Sequence, residues 1–311
     1  MHKAIARGML GAVAAACLGA CSFAPVHERP APPVAPAWPG GIAGAGQERV
    51  ADLPWQRFFT DARLQRLITT ALANNRDLRL AVLNIEQVRA QYQIRRADQF
   101  PTISAAATGS RQPNSSGGIT SLYNVGFTTT AYELDFFGRV ANLKDVALAQ
   151  YLASEESRKT AQISLVAAVA TGWLNLLADE AQLRLTRDTL ATREESLRLV
   201  KLRFDNGASS EIDYRQAQSL AEGARVVLAQ LQRQRALDEN ALVLLLGQPL
   251  PAGLELAEPV AGLDGAMAPG DLPAGLPSEV LIRRPDILAA EQQLRAANAN
   301  IGAARAAFFP R

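Results

Sequence analysis

Few residues of this chain can do nucleophilic or metal chemistry: two histidines, His2 and His27, and two cysteines, Cys17 and Cys21, among 311 residues. A Ser–His–Asp or Cys–His set needs a histidine held beside its nucleophile. His2 lies in a charged N-terminal run and His27 in a proline-rich one, so neither is placed for that work. No zinc spacing, phosphate-binding glycine loop or dinucleotide fingerprint occurs. The paired carboxylates Glu155-Glu156 and Glu194-Glu195 fall on long polar helices, where a solvated face is the plainer reading. The sequence predicts no catalytic residue, no metal and no cofactor beyond a covalent lipid.

That lipid is expected on Cys21. His2-Lys3 and Arg7 form a charged n-region, and Met9 to Leu18 is an apolar stretch too short to cross a bilayer. It ends in Leu18-Gly19-Ala20-Cys21, which resembles a bacterial lipobox, whose thiol takes a diacylglycerol before cleavage frees the amine for another acyl chain. Ser22, where an aspartate would signal retention, favours sorting to the outer membrane by the same resemblance. Residues 1–20 then form a signal peptide, and Cys17 leaves with it, so the mature chain can form no disulfide. Each buried methylene contributes about 0.8 kcal/mol to anchoring. Lys3 and Arg7 account for the net charge of +2, which leaves no basic footprint for nucleic acid.

The elements downstream follow from periodicity. Pro25, Pro30, Pro32, Pro33, Pro36 and Pro39 give a stiff tether over 21–51. Phe58, Leu64, Leu67, Ile68, Ala71 and Leu72 recur at helical spacing, and Asn74-Asn75 ends that helix and caps the next. A second helix runs from Leu78 to Gln99, with Asp77 in its first turn and Pro101 beyond its end, completing a helical segment over 52–100. Over 101–134 the period changes to two. Ile103, Ala105, Ala107 and Gly109 alternate with small or hydroxylated residues, and Tyr123, Val125 and Phe127 alternate with Asn124, Gly126, Thr128 and Thr130. Two strands of about ten residues fit a transmembrane hairpin, and equally the half-buried hairpin of a soluble protein.

No proline occurs between Pro113 and Pro249, and Val169, Leu176, Leu183, Leu190, Leu197 and Phe204 fall at seven-residue intervals. Such heptads predict a coiled-coil helix from after Asp135 to Asn206, about 100 Å long at 1.5 Å per residue. Gly207 reads as its C-terminal cap, and Ser210 with Asp213 as the capping box of a return helix ending near Gly247. These two helices make up 135–247. Residues 248–278 form a connector rich in proline and glycine. From 279 to 311 the chain repeats itself: Asp286, Ala290, Ala299 and Phe309-Pro310 match Asp77, Ala81, Ala90 and Phe100-Pro101 at an offset of 209 positions.

Two segments carry a family resemblance. Tyr132-Glu133-Leu134-Asp135-Phe136-Phe137-Gly138-Arg139 resembles the motif closing the first hairpin of outer-membrane efflux proteins, the TolC-like exit ducts. Arg283-Arg284-Pro285-Asp286-Ile287, with Ala290-Glu291 and Ala303 to Pro310, resembles the motif opening that family's second half. The lipobox points to the lipoprotein branch, the OprM- or NodT-like factors. The resemblance implies a mainly α fold with a transmembrane β-hairpin, assembled as a homotrimer with a periplasmic α-barrel and an outer-membrane β-barrel. It implies a passive conduit for drugs or other solutes, working with a periplasmic adaptor and an inner-membrane pump. Carried over by position, Asn206, Gly207, Ala208 and Ser209 would be the tip that meets the adaptor, and Asn124, Thr128 and Thr130 would face the barrel lumen.

Against the family pattern, the first structural repeat is complete and the second only begun. Three copies would offer six strands, and open edges are not tolerated in lipid. The expectation is therefore a fragment or shortened product that does not conduct by itself. The alternative is a lipid-anchored periplasmic coiled-coil scaffold or adaptor, whose hairpin would lie in water. An outer-membrane hydrolase would need a catalytic set that the residues above do not supply.

Overall fold

The structure, a computed structural model, describes residues 23–31, 54–113, 115–129, 132–251 and 278–310. Its elements in order are α1 (Trp55–Phe58), α2 (Ala62–Asn74), α3 (Arg76–Ala97), β1 (Ile103–Pro113), β2 (Ile119–Thr129), α4 (Arg139–Asp205), α5 (Glu211–Leu246), a 3-10 turn (Ser278–Arg283) and α6 (Pro285–Ala306). The chain divides into two compact units. One comprises Ala81–Arg158, Leu281–Arg311 and the described part of Met1–Ala35; the other comprises Lys159–Val280 and Pro36–Leu80, again as far as described.

The second unit is built on a helical core. Leu64, Leu67, Ile68 and Ala71 of α2 pack with Val169, Trp173 and Leu176 of α4 and with Leu242 and Leu246 of α5. Each large apolar side chain enclosed there contributes about 1.5–3 kcal/mol. Two polar side chains tie the core's edges. Asp61 accepts from the Arg63 amide at 2.8 Å, capping α2, and from Trp173 Nε1 at 3.1 Å. Asn75 caps α3 by accepting from the Leu78 amide at 2.8 Å, and its Nδ2 donates to the Leu245 carbonyl at 2.9 Å. α4 meets the length and composition of a membrane-crossing helix. Its residues Val169, Trp173 and Leu176 are nevertheless fully enclosed by protein.

The heptad positions of α4 face the return helix. Leu183 is fully buried, and Leu190, Leu197 and Phe204 are each half-buried between exposed neighbours. Arg225 of α5 reaches Glu194 of α4 at 2.7 Å across the same pairing.

The internal repeat is visible in the backbone. α3 and α6 have 22 residues each, and every bound of α6 lies 209 positions after its counterpart, Arg76 to Pro285 and Ala97 to Ala306. The stretch after Cys21 departs from the simple tether expected of it. Residues 23–31 lie as a strap along α6: Phe23 stacks on Phe309 at 5.1 Å, Arg305 donates to the Phe23 carbonyl at 3.2 Å, and Arg29 pairs with Glu291. A Cβ on Gly302 would sit 2.8 Å from the Ala24 backbone N, so only glycine admits the strap this closely. A proline-rich segment loses little entropy on docking, which suits it to lie on a surface of small residues.

Candidate functional site: a two-faced hairpin and a helical tip

β1 and β2 pair antiparallel with Ile103 opposite Thr129, Ala105 opposite Phe127, Ala107 opposite Val125 and Gly109 opposite Tyr123. Directly opposed residues share a face, so these form one apolar surface. The Tyr123 ring covers Gly109, approaching to 3.0 Å of where a Cβ would stand. The other face carries Ser104 opposite Thr128, Thr108 opposite Asn124 and Ser110 opposite Leu122. Asn124 and Thr128 thus lie together on the hydroxylated face, and Leu122 is its one large apolar residue. Thr130 lies outside the described residues.

Each strand has 11 residues, longer at the turn end than the alternation alone suggests. The ladder continues through Arg111, Gln112 and Thr120 because backbone pairing does not depend on side-chain polarity. No residue of either strand is buried, and Tyr123, Val125 and Phe127 are 76%, 86% and 83% exposed.

The segment Tyr132 to Arg139 is the junction from hairpin to helix. Tyr132 Oη donates to the Gln99 carbonyl at 3.0 Å and closes the hairpin's base. Glu133 pairs with Arg139, Asp135 accepts from the Ala141 amide at 2.7 Å to cap α4, and Phe137 stacks on Phe309 at 4.6 Å. The opening motif of α6 is simpler. Pro285 takes the first helical position, and Arg284 reaches Asp286 at 2.6 Å.

At the far end of α4, Asn206, Gly207 and Ala208 are exposed and Ser209 half-buried. Gly207 has φ +72°, the left-handed conformation that closes a helix at low strain only for glycine. Its amide donates to the Phe204 carbonyl at 2.9 Å and the Ala208 amide to the Arg203 carbonyl at 2.7 Å, a complete Schellman closure. Ser210 Oγ accepts from the Asp213 amide at 3.1 Å, and Asp213 Oδ2 accepts from the Ser210 amide at 3.2 Å. Hydrogen bonds from the Ser210 hydroxyl, the Ser210 amide and the Ser209 hydroxyl hold the Asp213 carboxyl below its ordinary range. Phe204 stacks on Tyr214 at 5.5 Å, with Lys201 and Arg215 over the Tyr214 ring at 5.9 and 5.4 Å. The turn is thus braced on both sides of its exposed residues.

The profile of outer membrane efflux proteins matches residues 67–248 and 276–311. The chain belongs to the outer membrane efflux protein family. The toluene efflux pump outer membrane protein TtgC of Pseudomonas putida is 48% identical over 310 residues, covering 96% of this chain and 63% of that protein. Outer membrane protein OprJ of Pseudomonas aeruginosa is 47% identical, covering 98% and 64%. Among solved structures, the open state of the Neisseria gonorrhoeae MtrE outer membrane channel superposes with a TM-score of 0.77 at 42% identity, over 93% of this chain and 64% of that one. The chain therefore spans about two thirds of the length of the efflux proteins it matches. Cys21, the expected lipidation site of this family member, lies outside the described residues.

Sequence reasoning passed over one cluster in this family member. Asp179, three residues after Leu176 and four before Leu183, is buried against α5 beside Asp238 and Arg235. A polar residue between two heptad leucines on the seam side was the available signal.

Proposed function

We propose that this chain forms part of an outer-membrane exit duct, in the lipid-anchored branch of the family, that passes solutes driven by an inner-membrane pump through a periplasmic adaptor. Three copies would assemble around one lumen, with Asn124, Thr128 and Thr130 facing water, the Val125 face meeting lipid, and Cys21 acylated. Asn206 to Ser209 would meet the adaptor. The duct would carry out no reaction and need no cofactor beyond that lipid; its relatives carry names of toluene and antibiotic efflux pumps.

The observation that supports this reading most strongly is the hairpin's register. It gathers Ile103, Val125, Tyr123 and Phe127 on one face that no described part of the chain covers. In a soluble protein that face would pack on a core, whereas membrane strands of 9–11 residues leave it to lipid. The test is cysteine scanning in the full-length protein that carries this chain, in intact cells. Cysteines at Asn124 and Thr128 should react with a membrane-impermeant thiol reagent, and those at Val125 and Phe127 only with a lipid-soluble one. Equal labelling of both faces by the aqueous reagent would overturn the duct and favour the lipid-anchored scaffold.

A further inference from the structure

The seam between α4 and α5 is apolar at Val169, Leu176 and Leu183 on one helix and at Ala221, Leu242 and Leu246 on the other, all fully buried. Between these layers it turns polar. Asp179 of α4 is only 8% exposed, and its Oδ2 is enclosed with no protein donor directed to it. The group in hydrogen-bonding reach is the carboxyl of Asp238 on α5. Asp238 already accepts from Gln234 Nε2 at 3.0 Å. Arg235, the cation nearest the pair, is engaged with Glu180 and lies 2.8 Å from Glu239. Two carboxylates have no proton to offer each other, so a direct hydrogen bond between them needs one to be protonated.

We propose that Asp179 and Asp238 share one proton across the α4–α5 seam, making the pairing of these helices a pH-sensitive latch that is closed in acid and loosened at neutral pH. Burial pushes the Asp179 carboxyl up to about 6; the hydrogen bond and charge of Asp238 act in the same direction, as does Glu180, while Arg235 opposes them. No charge of α1 or α2 is among these influences. The folded value stands above the ordinary 3.8, so the folded chain holds this proton more tightly than the unfolded chain. The stabilisation is complete below the ordinary value and is lost as pH rises through about 6. Above that, two negative charges face each other in the seam, and Arg235, which offsets them in part, is shared with Glu180 and Glu239. A single Asn at either position would keep a donor in the pair at every pH. The latch is a property of the helical hairpin itself and does not depend on the duct reading.

Hydrogen–deuterium exchange on the full chain tests this, comparing peptides across 173–183 and 235–246 at about pH 5 and about pH 8 after correction for intrinsic exchange rates. The wild-type seam should open on the order of tenfold more often at the higher pH, and Asp179→Asn should abolish the difference. An Asn variant that keeps the wild-type pH dependence, or a wild type without one, overturns the proposal. Infrared spectroscopy of the wild type, labelled with carbon-13 aspartate, gives a readout independent of the variant's folding. One protonated carboxyl band should persist into mild acid and vanish through about pH 6. Absence of that band at about pH 5 would also overturn the latch.

Discussion

The two copies of the repeated helix share their ends and differ in their faces. At the C-terminus of α3 the amides of Asp98, Gln99 and Phe100 donate to Ile94, Arg96 and Ala97; at the C-terminus of α6 those of Ala307, Phe308 and Phe309 donate to Ala303, Arg305 and Ala306. Every donor and acceptor is displaced by 209 positions. Yet α3 buries no residue, whereas α6 buries Ala289, Ala296, Ala299, Gly302, Ala303 and Ala306. The first-copy counterparts of Ala289, Ala296, Gly302 and Ala303 are Leu80, Gln87, Gln93 and Ile94. A repeat thus specifies a helix and how it stops, while the sizes of a few residues on one face decide whether another segment can lie on it. Gly302 lets the strap lie on α6, whereas the first copy has Gln93 there and no residue of α3 is fully buried.

The comparison can be broken by exchanging residues between copies. Gly302→Gln gives α6 the first-copy residue and forces a Cβ into Ala24, so residues 23–31 should leave the helix at a cost of about 2–3 kcal/mol. Hydrogen exchange in a peptide covering 23–31 should then approach the rate of unstructured chain; continued protection would show that the strap does not need the glycine. The N-terminal ends can be contrasted next. Asn75 caps α3 and bonds Leu245, whereas Arg284 makes no side-chain cap on α6. Asn75→Ala should therefore cost about 1–2 kcal/mol in denaturant unfolding and Arg284→Ala less than about 0.5 kcal/mol.

A further contrast is electrostatic. Burial raises the Glu291 carboxyl, but the hydrogen bond from Arg29 and the charges of Arg29 and Arg295 outweigh it and hold the group below its ordinary 4.5. A depressed carboxylate stabilises the fold above its unfolded value and loses that contribution as pH falls through the folded one. Strap protection should therefore decline in strong acid. Glu291→Val, which imports the first copy's Val82, should remove that acid dependence and cost on the order of 1 kcal/mol at neutral pH, because Arg29 remains half in water. An acid profile unchanged in the variant would assign it to another group.

Much of this architecture was legible because it is written in local periods. Leucines from Leu176 to Leu197 announce the long helix and its partner face, Gly207 and Ser210 announce the turn, and alternation from Ile103 and from Tyr123 announces both faces of the hairpin. What was hidden depends on pairing between distant residues. The strap has no period of its own, and its bed lies some 270 positions away; Gly302 alone reads only as a weak helix former. The heptad places Asp179 on the seam, but its meeting with Asp238 depends on the register of two helices that the sequence does not give. The pairing with Ser110 sets Leu122, an apolar exception, on the hydroxylated face. The strand ends extended past the alternation because hydrogen bonding persists where side chains turn polar.

The strap has a mechanical consequence. Its contacts run in order along α6, from Phe23 on Phe309, through Ala24 at Gly302 and His27 near Asn298, to Arg29 at Glu291. A pull along the helix axis on the strap's N-terminal end loads all of these contacts together, in shear. A pull away from the helix peels them one at a time, beginning with the aromatic stack. The same attachment is therefore strong against sliding and weak against lifting, and the direction of tension on the N-terminus decides whether it holds.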